Sequence, residues 1–338
     1  MLPTIHDFPN QLTAAWQLVT EADLALPERD DIDHIVILGM GGSAIGGDLV
    51  AGLAANDCPV PIHVHRNYGL PAWVGKRTLV IASSYSGNTE ETLSGWAAAG
   101  QRGARRLAIT TGGQLAEQAN APETLRFEYE AQPRAALGYS LTLLLGVIHR
   151  MGLTEDPAPA LARFTTQAHQ EDTIPPAGLR MMADELTHHC RDAIPVILAA
   201  EHLAAVARRW TTQINENSKA WAFWNEYPEL DHNLIVGLQH PAALRAAKPG
   251  TAHCCIVHLA STHYHGQTNR RIDITRELMQ KAGHRVETIR LDAPDRLEEV
   301  LWHTWLGDYL SLELARHYGA DPSPVETIED LKKALASD

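Results

Sequence analysis

Residues Ser83-Ser84-Tyr85-Ser86-Gly87-Asn88-Thr89-Glu90-Glu91-Thr92 gather four hydroxyls (Ser83, Ser84, Ser86 and Thr89) around Gly87. A turn of this kind at the start of a helix offers hydroxyls and free helix N–H groups, which together can hold a dianionic phosphate without a lysine. An N-cap uses one hydroxyl, so capping alone leaves the others without a role. A second turn, Gly39-Met40-Gly41-Gly42-Ser43-Ala44-Ile45-Gly46-Gly47-Asp48, is rich in glycine, which lets a backbone approach a ligand closely. Within it, Gly39, Gly41 and Ala44 also fit the G-x-G-x-x-A form of the dinucleotide fingerprint, and Arg66 is a candidate contact for a 2′-phosphate. Two ligand classes therefore stand open, a small phosphorylated molecule or NADP. The dinucleotide reading has no use for the second, hydroxyl-rich turn.

Each turn needs a strand before it and a helix after it. Residues 34–38 (HIVIL), 61–65, 78–83 (TLVIAS), 106–110 and 125–129 read as strands, with helices over 41–55, 90–99 and 135–151. A Pro/Ala-rich break at 156–160 and a polar helix to about 187 follow. The alternation then restarts with strands at 194–199, 220–223, 254–259 and 286–291, and helices over 201–213, 269–282, 297–318 and 325–335. Apolar runs alternating with helices imply α/β architecture with parallel sheets covered on both faces. Two such arrays of similar length predict two doubly wound domains, each with its own core, divided near residue 155.

Bulk properties narrow the partners. The 338 residues carry 28 Lys+Arg against 41 Asp+Glu, a net charge of −13, which disfavours nucleic acid and anionic membranes. No apolar run approaches the roughly 20 residues of a membrane span, and residues 1–30 show no leader pattern. Cys58, Cys190, Cys254 and Cys255 have no disulfide-framework spacing, so reduced thiols and a cytoplasmic location are expected. His253, His258, His263 and His265 lie near one another in sequence without a closed four-ligand spacing, so no metal is expected.

The segment 84–92 (SYSGNTEET) resembles the signature loop of the sugar isomerase (SIS) domain family. Together with 39–48 it resembles the bifunctional phosphoglucose/phosphomannose isomerases, over nearly the whole chain from about residue 30. The resemblance implies two SIS-type doubly wound, flavodoxin-like domains (1–155 and 156–320) and a C-terminal tail helix within 321–338. It implies a homodimer and no cofactor. Ser84, Ser86 and Thr89 become phosphate ligands, and Gly42 and Ser43 line the sugar. In Asn215-Glu216-Asn217-Ser218-Lys219 the glutamate matches the proton-transfer base, and in Asp231-His232-Asn233 the histidine matches the ring-opening group, contributed across the subunit interface. Imidazole suits that task because it titrates nearest neutrality. Arg134 matches the arginine that stabilises the enediolate, and Lys332, rather than Lys333, the tail lysine at the ring oxygen. The expected reaction interconverts fructose 6-phosphate with glucose 6-phosphate and mannose 6-phosphate. A non-catalytic sugar-phosphate sensor and an NADP-dependent oxidoreductase are the alternatives.

Overall fold

The computed structural model describes residues 1–170, 174–244 and 253–335. Among the described residues nine strands form two sheets. β1 (His34–Leu38), β2 (Ile62–His65), β3 (Thr78–Ser84), β4 (Arg105–Thr110) and β5 (Thr124–Arg126) make the first, in the order β2-β1-β3-β4-β5. β6 (Ile194–Ala200), β7 (Phe223–Tyr227), β8 (Cys254–Ala260) and β9 (Arg285–Arg290) make the second, in the order β7-β6-β8-β9. All pairings are parallel. The first order is the flavodoxin-like one, and the second repeats it without the fifth strand. Both β3 and β8 are buried along their whole length, as continuous apolar runs require in a sheet covered on two faces.

In such sheets the crevice for a ligand lies where successive strands leave in opposite directions, at their C-terminal ends. In the first sheet that place is between β1 and β3, and both suspect turns emerge there. The second sheet has the same crevice between β6 and β8. Five residues connect β3 to helix Glu90–Gln101 (85–89), and five connect β8 to helix Gly266–Lys281 (261–265).

The cores are less separate than the sequence suggests. One apolar cluster runs from Ile35 and Ile37 of the first sheet through Leu141, Leu144 and Phe164 to Ile197, Val257 and Trp305 of the second half. A smaller cluster around Val36, Val80 and Trp96 covers only the other face of the first sheet. The bridge is helical. Helix Phe8–Glu21 buries Phe8, Leu12, Ala15 and Val19. Trp305, in the long helix Arg296–Tyr318, donates Nε1–H to the Ile5 carbonyl (2.8 Å). That long helix is capped at one end by the Asp295 carboxylate and at the other by Gly319 in the left-handed conformation.

Several elements differ locally from the expectations, β5 among them, which ends at Arg126 rather than 129. The helix expected over 201–213 runs Ala204–Ser218, which brings Glu216 into its last turn. The polar helix ending near 187 is two helices, Ala158–Ala168 and Ala177–Cys190. β7 lies later than 220–223, on an edge that exposes Phe223 and Trp224.

Candidate active site

The two turns meet. Helix Gly41–Ala54 starts with Gly41 at φ +50°, and the Ser43 hydroxyl accepts a hydrogen bond from the Tyr85 backbone N–H (3.2 Å). In the second turn Gly87 adopts φ +66° beneath Gly112, where a Cβ would run into the Gly112 carbonyl. The Ser84 hydroxyl is buried; it accepts from Gly87 N–H (3.2 Å) and lies 3.1 Å from Thr89 Oγ1. Ser84 therefore braces the turn, while Ser86 is exposed and Thr89 half-exposed. Thr89 is the N-cap residue of helix Glu90–Gln101, yet its side chain does not cap it. Simple capping is thus not what the hydroxyls do, and the free N–H groups of this helix end face the crevice side of the sheet. Glu90 in the first turn accepts from Tyr68 Oη (3.1 Å).

Arg134 closes this side. It lies in the single 3-10 turn Pro133–Ala135, and its backbone touches the first turn so closely that a Cβ on Gly42 would stand 2.9 Å from Arg134 Cα. Its side chain is almost fully buried. Nε donates to Asn217 Oδ1 (2.8 Å), and Nη2 donates to the carbonyls of Pro322 (2.6 Å) and Ser323 (3.0 Å). Nη1 stands 3.4 Å from Glu216 Oε2. Burial lowers the Arg134 pKa from its usual value, with the Glu216 carboxylate pulling the other way. The guanidinium thus joins the first sheet's half to Glu216 and Asn217 from the second half and to the start of the tail.

The second half holds these groups rigidly. Asn217 Nδ2 donates to Ser311 Oγ (2.9 Å), and Ser218 Oγ donates to Ser311 O (2.6 Å). Buried Arg209 donates to the Arg134 carbonyl (3.0 Å) and pairs with Asp308 (2.9 Å), which also accepts from Gln213 (2.9 Å). Lys219, a residue the sequence pattern gives no reason to single out, donates from Nζ to the carbonyls of Glu216 (2.5 Å) and Pro324 (2.6 Å). Its pKa is lowered by burial first and by Arg134 second.

Gly42, Ser43, Ser84, Ser86, Thr89, Arg134 and Glu216 therefore gather around one crevice. His232 and Lys332 do not join them within one chain. His232 is exposed in the 3-10 turn Glu229–His232, whose Asp231 is held by Arg271 (3.3 Å) and Thr275 (2.8 Å) of helix Gly266–Lys281. Lys332 is exposed on the tail helix Glu326–Leu335, which buries none of its residues, and neighbouring Lys333 pairs with Asp330 (3.4 Å). Arg66, the candidate 2′-phosphate contact, is tied to Asp48 and the Ala44 carbonyl. The histidines of 253–265 have separate duties: His258 is buried against Tyr227 Oη (3.2 Å), His263 meets the Ala293 carbonyl (3.0 Å), and His265 caps a helix. Among the described residues no cluster of His, Cys, Asp and Glu is arranged to hold a metal ion, and no helix is long and apolar enough to cross a membrane.

The second crevice differs. There the Glu201 carboxylate reaches the N-terminus of helix Gly266–Lys281, accepting from His265 N–H (3.0 Å) and Thr268 Oγ1 (2.9 Å), and Glu201 holds φ +46°.

The family model for the bacterial phospho-glucose isomerase C-terminal SIS domain matches residues 180–335. A bifunctional phosphoglucose/phosphomannose isomerase of Caldicellulosiruptor bescii is 37% identical over 342 residues, covering 99% of each chain. One of Aquifex aeolicus is 33% identical, covering 89% of this chain and 90% of that one. Among solved structures, the C-terminal domain of glucosamine-fructose-6-phosphate aminotransferase from Francisella tularensis superposes with a TM-score of 0.73 at 15% identity, over 96% of this chain and 98% of that one, a likeness of fold. Two parallel sheets of SIS type, near-complete coverage by these relatives and the converging turns assign the chain to the bifunctional phosphoglucose/phosphomannose isomerase family, as an aldose–ketose isomerase acting on sugar phosphates.

Proposed function

We propose that the protein interconverts fructose 6-phosphate with glucose 6-phosphate and mannose 6-phosphate by proton transfer through an enediolate, with Glu216 as the base. The observation that carries this reading is the contact of 3.4 Å between Arg134 Nη1 and Glu216 Oε2 at the rim of the two turns. A carboxylate beside a permanently charged guanidinium supplies both needs of the reaction: a group to take the proton alpha to the carbonyl, and a cation for the oxygen on which charge develops. The phosphate is held by Ser84, Ser86, Thr89 and the first turn of helix Glu90–Gln101, with Gly42 and Ser43 along the sugar. Anchoring that end fixes the reacting carbons near Glu216, which replaces entropy cost by orientation. An enediolate has no configuration at C2, so one base serves both aldose epimers once the C2–C3 bond turns.

Ring opening is assigned to His232 of a second subunit, with Lys332 at the ring oxygen. The exposure of both residues in one chain accords with completion of the site by a homodimer. The division at residue 155 into domains 1–155 and 156–320, with a tail over 321–338, belongs to the same reading.

The test is a coupled assay with fructose 6-phosphate in which glucose 6-phosphate and mannose 6-phosphate are followed separately. Glu216→Gln should keep binding and lose roughly 10²–10⁴ in kcat. Full activity in Glu216→Gln removes it from the role. Light scattering accompanies the assay, because an active monomer rules out a cross-subunit His232.

A further inference from the structure

Lys219 ends helix Ala204–Ser218 in the left-handed conformation, at φ 55°. Glycine takes that conformation freely and is the usual residue at such a helix end, whereas a lysine bears a conformational cost there. Something must offset that cost. The side chain folds back so that Nζ bonds the carbonyl of Glu216, the candidate base itself, and the carbonyl of Pro324 in the tail. Arg134 binds the two carbonyls just before it, those of Pro322 and Ser323. Three successive tail carbonyls are thus gripped by two cations, one from each half of the molecule. The tail helix Glu326–Leu335 that follows is wholly exposed, so the described anchors of the tail lie in this hinge.

We propose that Lys219 is a positioning residue for the isomerase reaction: it clamps the Glu216 backbone to the tail hinge and so fixes the Glu216 carboxylate against Arg134. The proposal rests on the isomerase reading above. An ammonium has three donors, and two are accounted for by the clamp. Without it the last helical turn, which carries Glu216, keeps the bonds of Asn217 to Arg134 and Ser311 and of Ser218 to Ser311 but loses its direct tie to the Pro324 carbonyl. The base then moves relative to the guanidinium. The phosphate turns, which belong to the other sheet, stay as they are. Turnover should therefore suffer more than substrate affinity.

The decisive variant is Lys219→Gly, which removes the clamp and also relieves the left-handed backbone, so the helix end is expected to fold at least as well. A merely structural lysine predicts wild-type kinetics for this variant. The clamp predicts a kcat lowered about 10–100-fold with KM within about threefold, the loss expected from a small misplacement of a reacting group. Hydrogen exchange at the Ser323 and Val325 amides, which flank Pro324, should quicken in Lys219→Gly, and Lys219→Arg, whose fork spans both carbonyls, should recover most of both. Unchanged kcat in Lys219→Gly, or a fall in kcat without faster exchange in the hinge, overturns the proposal. If the wild-type protein turns over no sugar phosphate, the isomerase reading fails, and hydrogen exchange decides the clamp by itself.

Discussion

Replacing Arg134 by methionine separates what this side chain does for the fold from what it does for the reaction. The guanidinium satisfies Asn217 Oδ1, two tail carbonyls and one oxygen of Glu216. These acceptors do not weigh equally. Asn217 is fully buried, so its orphaned Oδ1 costs about 1–3 kcal/mol. Pro322 and Ser323 are half-buried and Glu216 is 27% exposed, so those three can turn to water. Against the loss stands a gain, because burial already disfavours the charged arginine and the methionine has no charge to desolvate. The net expectation is a destabilisation of about 1–2 kcal/mol, a Tm fall of about 1–3 °C by calorimetry. Turnover should fall further, by about 10²–10³ in kcat, as when a positioned charge donor is lost from a transition state. A lysine in place of the arginine keeps the charge but offers one nitrogen for acceptors on separate elements, so Arg134→Lys should recover part of the stability and little of the rate. Turnover in Arg134→Met within about threefold of wild type would refute the reasoning, as would a Tm loss large enough to unfold the protein at the assay temperature.

Two further outcomes follow from the same geometry. Gly87→Ala puts a Cβ against the Gly112 carbonyl at φ +66°, so the turn must shift; KM for the sugar phosphate should rise about tenfold or more with a stability loss of about 1–3 kcal/mol, read by the coupled assay and a melt. His258 is buried and its pKa is depressed to about 4, chiefly by desolvation. Since the unfolded chain binds that proton near pH 6.5, stability is full above about 6.5 and is lost as the pH falls towards 4, by about 3 kcal/mol in all. Urea midpoints across that range should show the decline, and His258→Gln should lessen it, the rest coming from His189 and His303, which burial depresses in the same sense.

What can be read from the chain is local. The runs HIVIL, TLVIAS and CCIVHL are buried on both faces, so their composition alone marks them as strands, and β1, β3 and β8 lie where that composition puts them. The hydroxyl turn is legible for the same reason, since all its parts fall within a few residues. Helix Phe8–Glu21 is missing from the sequence reading although its signal is present: Phe8, Leu12, Ala15 and Val19 follow a helical period, with Pro9 in the first turn. β7 is misplaced there because an exposed edge strand of aromatic residues lacks the apolar run that marks a central one. The meeting of Arg134, Glu216 and the 322–324 hinge is tertiary. No periodicity brings three such distant segments together, and a lysine in a glycine's conformation leaves no trace in composition.

The Glu201 carboxylate changes the count of ligands. The chain contains two crevices of one design, but the second already carries a resident anion, held by a backbone N–H and a hydroxyl at the place where a guest phosphate would sit in the first. A phosphate entering there would face that exposed carboxylate at close range, and like charge disfavours it. Architectural duplication thus does not double the occupancy. On the reading proposed above, each chain offers one berth to a sugar phosphate, and its other half serves as the wall that holds the proposed base in place.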